Sequence, residues 1–156
     1  MDSQVVADDR LYFEDLDPDG VWTFGEETLT HEEIVDFAER YDPQPFHVDE
    51  QAGERSMFGE LVASGLHTYC VCNGMATRSF FQEIAFLCGR GLDDFRWHRP
   101  VFPDDTLSGW VELDEMRVSE SDPGRGYVDV HITGVNQHDE EVVSWTVLAL
   151  VARRSA

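Results

Sequence analysis

The sequence predicts an α+β fold in which long antiparallel strands pack on one long buried helix. Three observations carry this. Ser64 to Leu87, "SGLHTYCVCNGMATRSFFQEIAFL", is the longest apolar stretch, with one acid, Glu83, and one base, Arg78, in a chain crowded with acids. From Thr106 onward, near-alternating segments are separated by turn clusters, the pattern of half-buried strands. Upstream, a single segment repeats its apolar residues at helical spacing. The 156 residues suffice for one domain with a real core. We expect one domain over residues 1–156, its core spanning about 21–154 and residues 1–9 flexible.

The elements follow in order. Pro18, Asp19 and Gly20 favour a turn, and Val21 to Leu29 then reads as a strand. In "THEEIVDFAERY" Thr30 can cap a helix and Glu33 completes a capping box. Ile34, Phe37, Ala38 and Tyr41 would form its buried face. Pro43 stops it, because a residue before proline avoids the α region. The 64–87 segment is apolar around most of its circumference and reads as a buried central helix, with Ser64 as N-cap and Gly89 marking its end. Beyond Gly91 come a proline-marked loop, alternation from Thr106 to Val118, the turn "SESDPGRG", the strand "YVDVHITGV", the turn "NQHDEE", and the strand "VVSWTVLALVARR" with burial on both faces.

Charge narrows the classes of partner. There are 32 acids against 11 basic residues, a net charge of -21, and every basic residue is Arg. Nucleic acids and anionic membranes are polyanions and are disfavoured as partners. Such a surface suits a salt-rich cytoplasm, where concentrated ions screen carboxylate repulsion. "MDSQVVADDR" lacks the pattern of a secretory signal, and no uncharged apolar run is long enough to span a bilayer. The expected setting is therefore cytoplasmic and high in salt. Cys70, Cys72 and Cys88 are an odd set in one apolar region, expected as reduced core thiols.

The stretch "YDPQPFHVDE" fits none of these patterns. Pro43 and Pro45 fix two φ angles and keep Asp42 and Gln44 out of the α region. No single helix can run from Asp42 to His47, and the segment is stiff by composition. It would hold a carboxylate and an imidazole in a set relation, which suits general acid–base chemistry. Downstream, "MFGELVASGLHT" brings Ser64 and Gly65 to the start of the buried helix. Unpaired N–H groups and partial positive charge collect at a helix N-terminus, and a glycine lets a carbonyl approach closely. These are the needs of an oxyanion site.

The blocks "DPQPFHVD", "FGELVASGLHT", "RWHRPVFPDDTLSGWVEL" and the final "EVVSWTVLALVARR" resemble, in order, the MaoC-like dehydratases, which include R-specific enoyl-CoA hydratases. The match runs from about Val21 to Arg154. It implies a hot-dog fold, a sheet wrapped around a central helix, and at least a homodimer with the site near the subunit interface. It implies that Asp42 and His47 activate water for addition to an enoyl-CoA, giving a 3-hydroxyacyl-CoA of R configuration. Either residue can serve the water and the other the α-carbon. By the same resemblance, the Gly65 N–H polarises the thioester carbonyl. Gln44 stands where the motif often has Asn, Ser64 where many hydratases have His, and Asp104 where the Pro-Gly-Asp loop has Gly, with Asp105 retained.

No cofactor is implied beyond the CoA thioester substrate. The spacing of Asp42, His47 and Asp49 matches no familiar metal pattern. His67 reads as a packing or pocket-lining residue. Arg90, Arg96 and Arg99 are candidate phosphate contacts, since Arg grips phosphate bidentately. Two other readings stand beside hydration. A hot-dog thioesterase would need a carboxylate at the central helix, for which Glu60 and Glu83 are the candidates. A non-catalytic thioester-binding module would have no use for the Asp–His pair.

Overall fold

The computed structural model describes residues 9–154, so most of the expected flexible segment 1–9 lies outside the described residues. Five antiparallel strands form one sheet: β1 (Val21–Thr28), β2 (Phe86–Trp97), β3 (Thr106–Val118), β4 (Arg125–Val135) and β5 (Glu141–Ala152). Their spatial order is β1-β3-β4-β5-β2. The helices are α1 (His31–Tyr41), α2 (Pro45–Val48), α3 (Glu50–Arg55) and α4 (Gly65–Ala76). This is the α+β hot-dog arrangement, with α4 as the central helix.

Local signals explain the first half. Thr30 caps α1, its side chain accepting from the Glu33 N–H at 3.2 Å. The helix ends at Tyr41, before Pro43. Ile34 and Ala38 are fully buried, but Tyr41 is exposed and Phe37 only half-buried. The buried stripe of α1 is thus narrower than its apolar spacing suggested.

The central helix is shorter than expected. It continues past Ala76 as a π-helical segment over Thr77–Phe81 and stops there. Ile84 and Ala85 are buried, but they belong to a connection that hydrogen-bonds to Leu11. Gly89 lies inside β2 rather than ending a helix. Two apolar elements run together in the sequence, and hydrophobicity alone does not separate them.

The helix lies close to the sheet. Cys72 is buried against Gly134, where an added Cβ would fall 2.7 Å from Sγ. Phe80, also fully buried, meets the Trp22 ring at 4.8 Å. Cys70 and Cys88 are exposed, so only Cys72 is a core thiol. Cys70 is on the outer side of α4 and Cys88 on the open strand β2. The packed region also begins before residue 21. Leu16 is buried, and Arg153 holds Glu14 at 2.9 Å beside an ion pair between Arg154 and Asp15. No helix among the described residues is long and apolar enough to cross a membrane.

Candidate active site

Asp42 and His47 reach the same place by two different backbone routes. Asp42 is the C-cap of α1, with φ -158° and ψ 70°, outside the α region as the following proline requires. Gln44 is extended, and Pro45 then opens the short helix α2, a position where its missing N–H costs nothing. His47 therefore rides on a helical turn rather than a loop. Its Nε2 stands 3.5 Å from Asp42 Oδ2.

A second bond fixes the imidazole. His47 Nδ1 is 2.6 Å from the Val62 carbonyl oxygen. A carbonyl only accepts, so Nδ1 carries the proton. In the neutral ring Nε2 then presents its lone pair toward Asp42. The Val62 segment is itself held on both sides, its N–H donating to Phe46 O at 3.1 Å and the Ala63 N–H to Val101 O at 2.8 Å.

Ser64 joins this pair to the central helix. It is fully buried. Its hydroxyl donates to Asp42 Oδ2 at 2.6 Å and accepts from the Leu66 N–H at 3.2 Å. One side chain thus caps α4 and anchors the carboxylate. Gly65 follows as the first helical residue. Among the described residues its N–H has no hydrogen-bond partner, as expected for the first turn of a helix.

These groups border a cavity of about 370 Å³, within the size range of small-ligand sites. Asp42, His47 and Gly65 line it, with Phe46, Phe58, Leu66, Trp97 and Val101 supplying apolar wall. A larger cavity of about 540 Å³ lies between α4, with its π-helical continuation, and strands β2 and β5. Among the described residues its ionisable lining groups are Arg10 and Tyr69, which make no acid–base pair, so the smaller cavity is the chemical candidate.

The structure gathers Asp42, His47, Ser64 and Gly65 but not Gln44. Gln44 is exposed and does not line the cavity. Its carbonyl accepts the His47 N–H at 2.9 Å, so its backbone contributes to α2 while its side chain points elsewhere. Of the three arginines, only Arg99 borders the cavity, and it pairs with Glu140 at 3.2 Å. Arg90 instead lies over the Tyr127 ring. Among the described residues no cluster of three or more potential metal ligands occurs.

His67 packs inside, its ring stacked on Phe37 at 4.6 Å. Its Nδ1 is buried with no partner among the described residues, and burial holds its pKa below the ordinary histidine value. Asp104 adopts φ 72°, the conformation that explains the glycine expected there and that Asp tolerates better than most residues. Asp105 locks this turn, accepting from the Phe102 N–H and from Gln137 Nε2, each at 2.8 Å. Trp97 and His98 are polar cavity residues that carried no individual signal in the sequence. Trp97 bonds to the Gly65 carbonyl at 2.9 Å, and His98 bonds to Ser144 at 2.7 Å.

A central helix in a wrapped sheet, with an imidazole–carboxylate pair at the helix start, defines a hot-dog protein with acid–base equipment. The chain belongs to the MaoC-like domain family, whose model matches residues 18–136. The MaoC-like dehydratase from Rhodospirillum rubrum superposes with a TM-score of 0.85 at 32% identity, covering 94% of this chain and 99% of that one. The Bacillus subtilis (strain 168) protein YdeM is 26% identical over 125 residues, 80% of this chain and 87% of YdeM. The unliganded R-hydratase PhaJ1 from Pseudomonas aeruginosa shares the fold, with a TM-score of 0.70 at 19% identity, covering 92% of this chain and 86% of that one.

Proposed function

We propose that this protein catalyses the reversible hydration of a trans-2-enoyl thioester, with CoA as the carrier and an R-3-hydroxyacyl product. The observation that carries the reading is the 3.5 Å approach of His47 Nε2 to Asp42 Oδ2 on the wall of a cavity that also holds the Gly65 helix start. Both facing atoms are acceptors when His47 is neutral. A water donating one proton to each is held with an oxygen lone pair free toward the substrate. The water oxygen bonds to C3 as the pair takes one of its protons. The C2–C3 π electrons move toward the thioester carbonyl, whose oxygen accepts from the Gly65 N–H. The Asp42–His47 pair then delivers the proton it took to C2, so that the water's OH and H both end on the product. Dehydration reverses these steps.

Hydrolysis of the thioester is less well supported. Glu60 and Glu83 are exposed and do not line the cavity. Asp42 is its one carboxylate among the described lining residues. The expected homodimer finds a physical basis in β2. It is a sheet edge, exposed along most of its length, with Leu87, Leu92 and Trp97 open to solvent. An unpaired edge of this length invites another strand, and a second copy of the chain is the occupant proposed.

The test follows crotonyl-CoA in molar KCl by loss of enoyl-thioester absorbance, with a thiol reagent in a parallel cuvette. Absorbance loss without thiol release is the expected result. Thiol release would identify a thioesterase instead. Neither signal across a panel of linear, branched and carboxylated enoyl-CoAs would leave a binding module.

A further inference from the structure

Trp97 sits on the open strand β2 and is half exposed, yet its indole makes two contacts with the first residue of the central helix. Its Nε1–H donates to the Gly65 carbonyl at 2.9 Å. Its ring also covers the Gly65 Cα so closely that an added Cβ would fall 2.4 Å from Cε2. The indole is braced from the core. Its ring meets Phe95 edge-on at 4.8 Å, and Phe95 packs on Tyr69 and on the fully buried Trp145. Gly65 is therefore held from two sides. Ser64 ties the preceding residue to Asp42, and Trp97 ties the Gly65 carbonyl and Cα to the aromatic stack.

We propose that Trp97 is a positioning residue, which orients the Gly65 amide toward the substrate's thioester carbonyl; this rests on the hydration reading above. Rotation about the Gly65 backbone would swing the N–H away from the cavity, and glycine resists such rotation least of all residues. The indole bond and the close ring contact supply the restraint that a side chain at Gly65 would otherwise give. Electrostatic stabilisation of this kind depends on the donor being aimed before reaction begins.

The test compares Trp97→Phe, which keeps a ring and loses the donor, with Trp97→Ala, which loses both. Two readouts are used. The first is kcat against KM for crotonyl-CoA. The second is the carbonyl stretching band of bound butyryl-CoA labelled with carbon-13 at the carbonyl; this saturated thioester cannot be hydrated. Trp97→Phe is expected to lower kcat about three- to tenfold, the worth of one hydrogen bond, with KM within about twofold. Trp97→Ala should lose more. In both, the carbonyl band should move back toward its position in free butyryl-CoA. A wild-type kcat and an unmoved band in Trp97→Phe would overturn the proposal, as would a change confined to KM, which would make Trp97 merely cavity wall. The band also separates this proposal from the reading beneath it. If no enoyl-CoA of the panel is turned over but the band is shifted and depends on Trp97, hydration falls and the positioning role stands. An unshifted band in the wild-type complex sinks the positioning role.

Discussion

Removing the Ser64 hydroxyl breaks two bonds at once, and their joint cost can be worked from the geometry. The bond to Asp42 Oδ2 is short, 2.6 Å. Hydrogen bonds to charged groups contribute about 1.5–3 kcal/mol. The Asp42 side chain keeps 28% of its surface accessible, so water replaces part of the loss and the lower figure applies. The bond from the Leu66 N–H is longer, 3.2 Å, and losing an N-cap of this kind costs about 0.5–1 kcal/mol. Ser64→Ala should therefore destabilise the fold by about 2 kcal/mol. In a domain of this size that is about 4–8 °C in Tm. The assay is a double-mutant cycle by urea unfolding on the wild type, Ser64→Ala, Asp42→Ala and the double variant. The two sites should couple by about 1–1.5 kcal/mol. Additive costs, with coupling below about 0.3 kcal/mol, would refute the link between the carboxylate and the helix cap.

Other perturbations probe separate parts of the account. Gly65→Ala should push the half-exposed Trp97 indole outward and break its bond to the Gly65 carbonyl; tryptophan emission should change, and activity should fall about tenfold or more. His67, buried with its pKa held down, lets the unfolded chain take up a proton first as pH falls below about 6.5. Stability is then lost with acidification and unaffected above that point. His67→Leu should lose less Tm than the wild type between about pH 7.5 and about pH 5.5, and equal losses would contradict this. Burial pushes the Cys72 thiol up to about 12, so one thiol should resist a thiol reagent until the protein unfolds. With a net charge of -21, Tm should climb as KCl is raised toward molar levels, where screening acts within about 3 Å; a flat response would remove the high-salt proposal.

How much of this was legible depended on the physical signal each residue carried. Thr106–Val118 matches β3 at both ends, because a strand with one buried face must alternate. The burial of β5 on both faces likewise follows its apolar residues at successive positions, Val142–Val143 and Val147–Ala152, interrupted only by the small polar Ser144 and Thr146 around Trp145. The strand β2 was illegible for the opposite reason. Its residues are exposed on both sides and its pairing with β5 shifts register three times, so no period marks it. The apolar residues at its start continue the helical pattern of the preceding segment. In the site, prolines at 43 and 45 announced a constrained carboxylate and imidazole, and the structure brings them to 3.5 Å. Trp97 carried no comparable mark. Its contact with Gly65 spans 32 positions of chain, a distance that local pattern does not encode. Gln44 misled because neighbours in a motif need not face the same way.

The central claim is that Asp42 and His47 act together on water, and comparing kcat in Asp42→Asn, His47→Ala and the double variant tests it most directly. Each single change, in protein shown to be folded, should lower kcat for crotonyl-CoA by about 10²–10⁴-fold, the usual range for a positioned acid or base. The double variant should be little worse than the poorer single variant, as expected of residues acting as one unit. A folded single variant that keeps kcat within a few-fold of wild type would contradict the account.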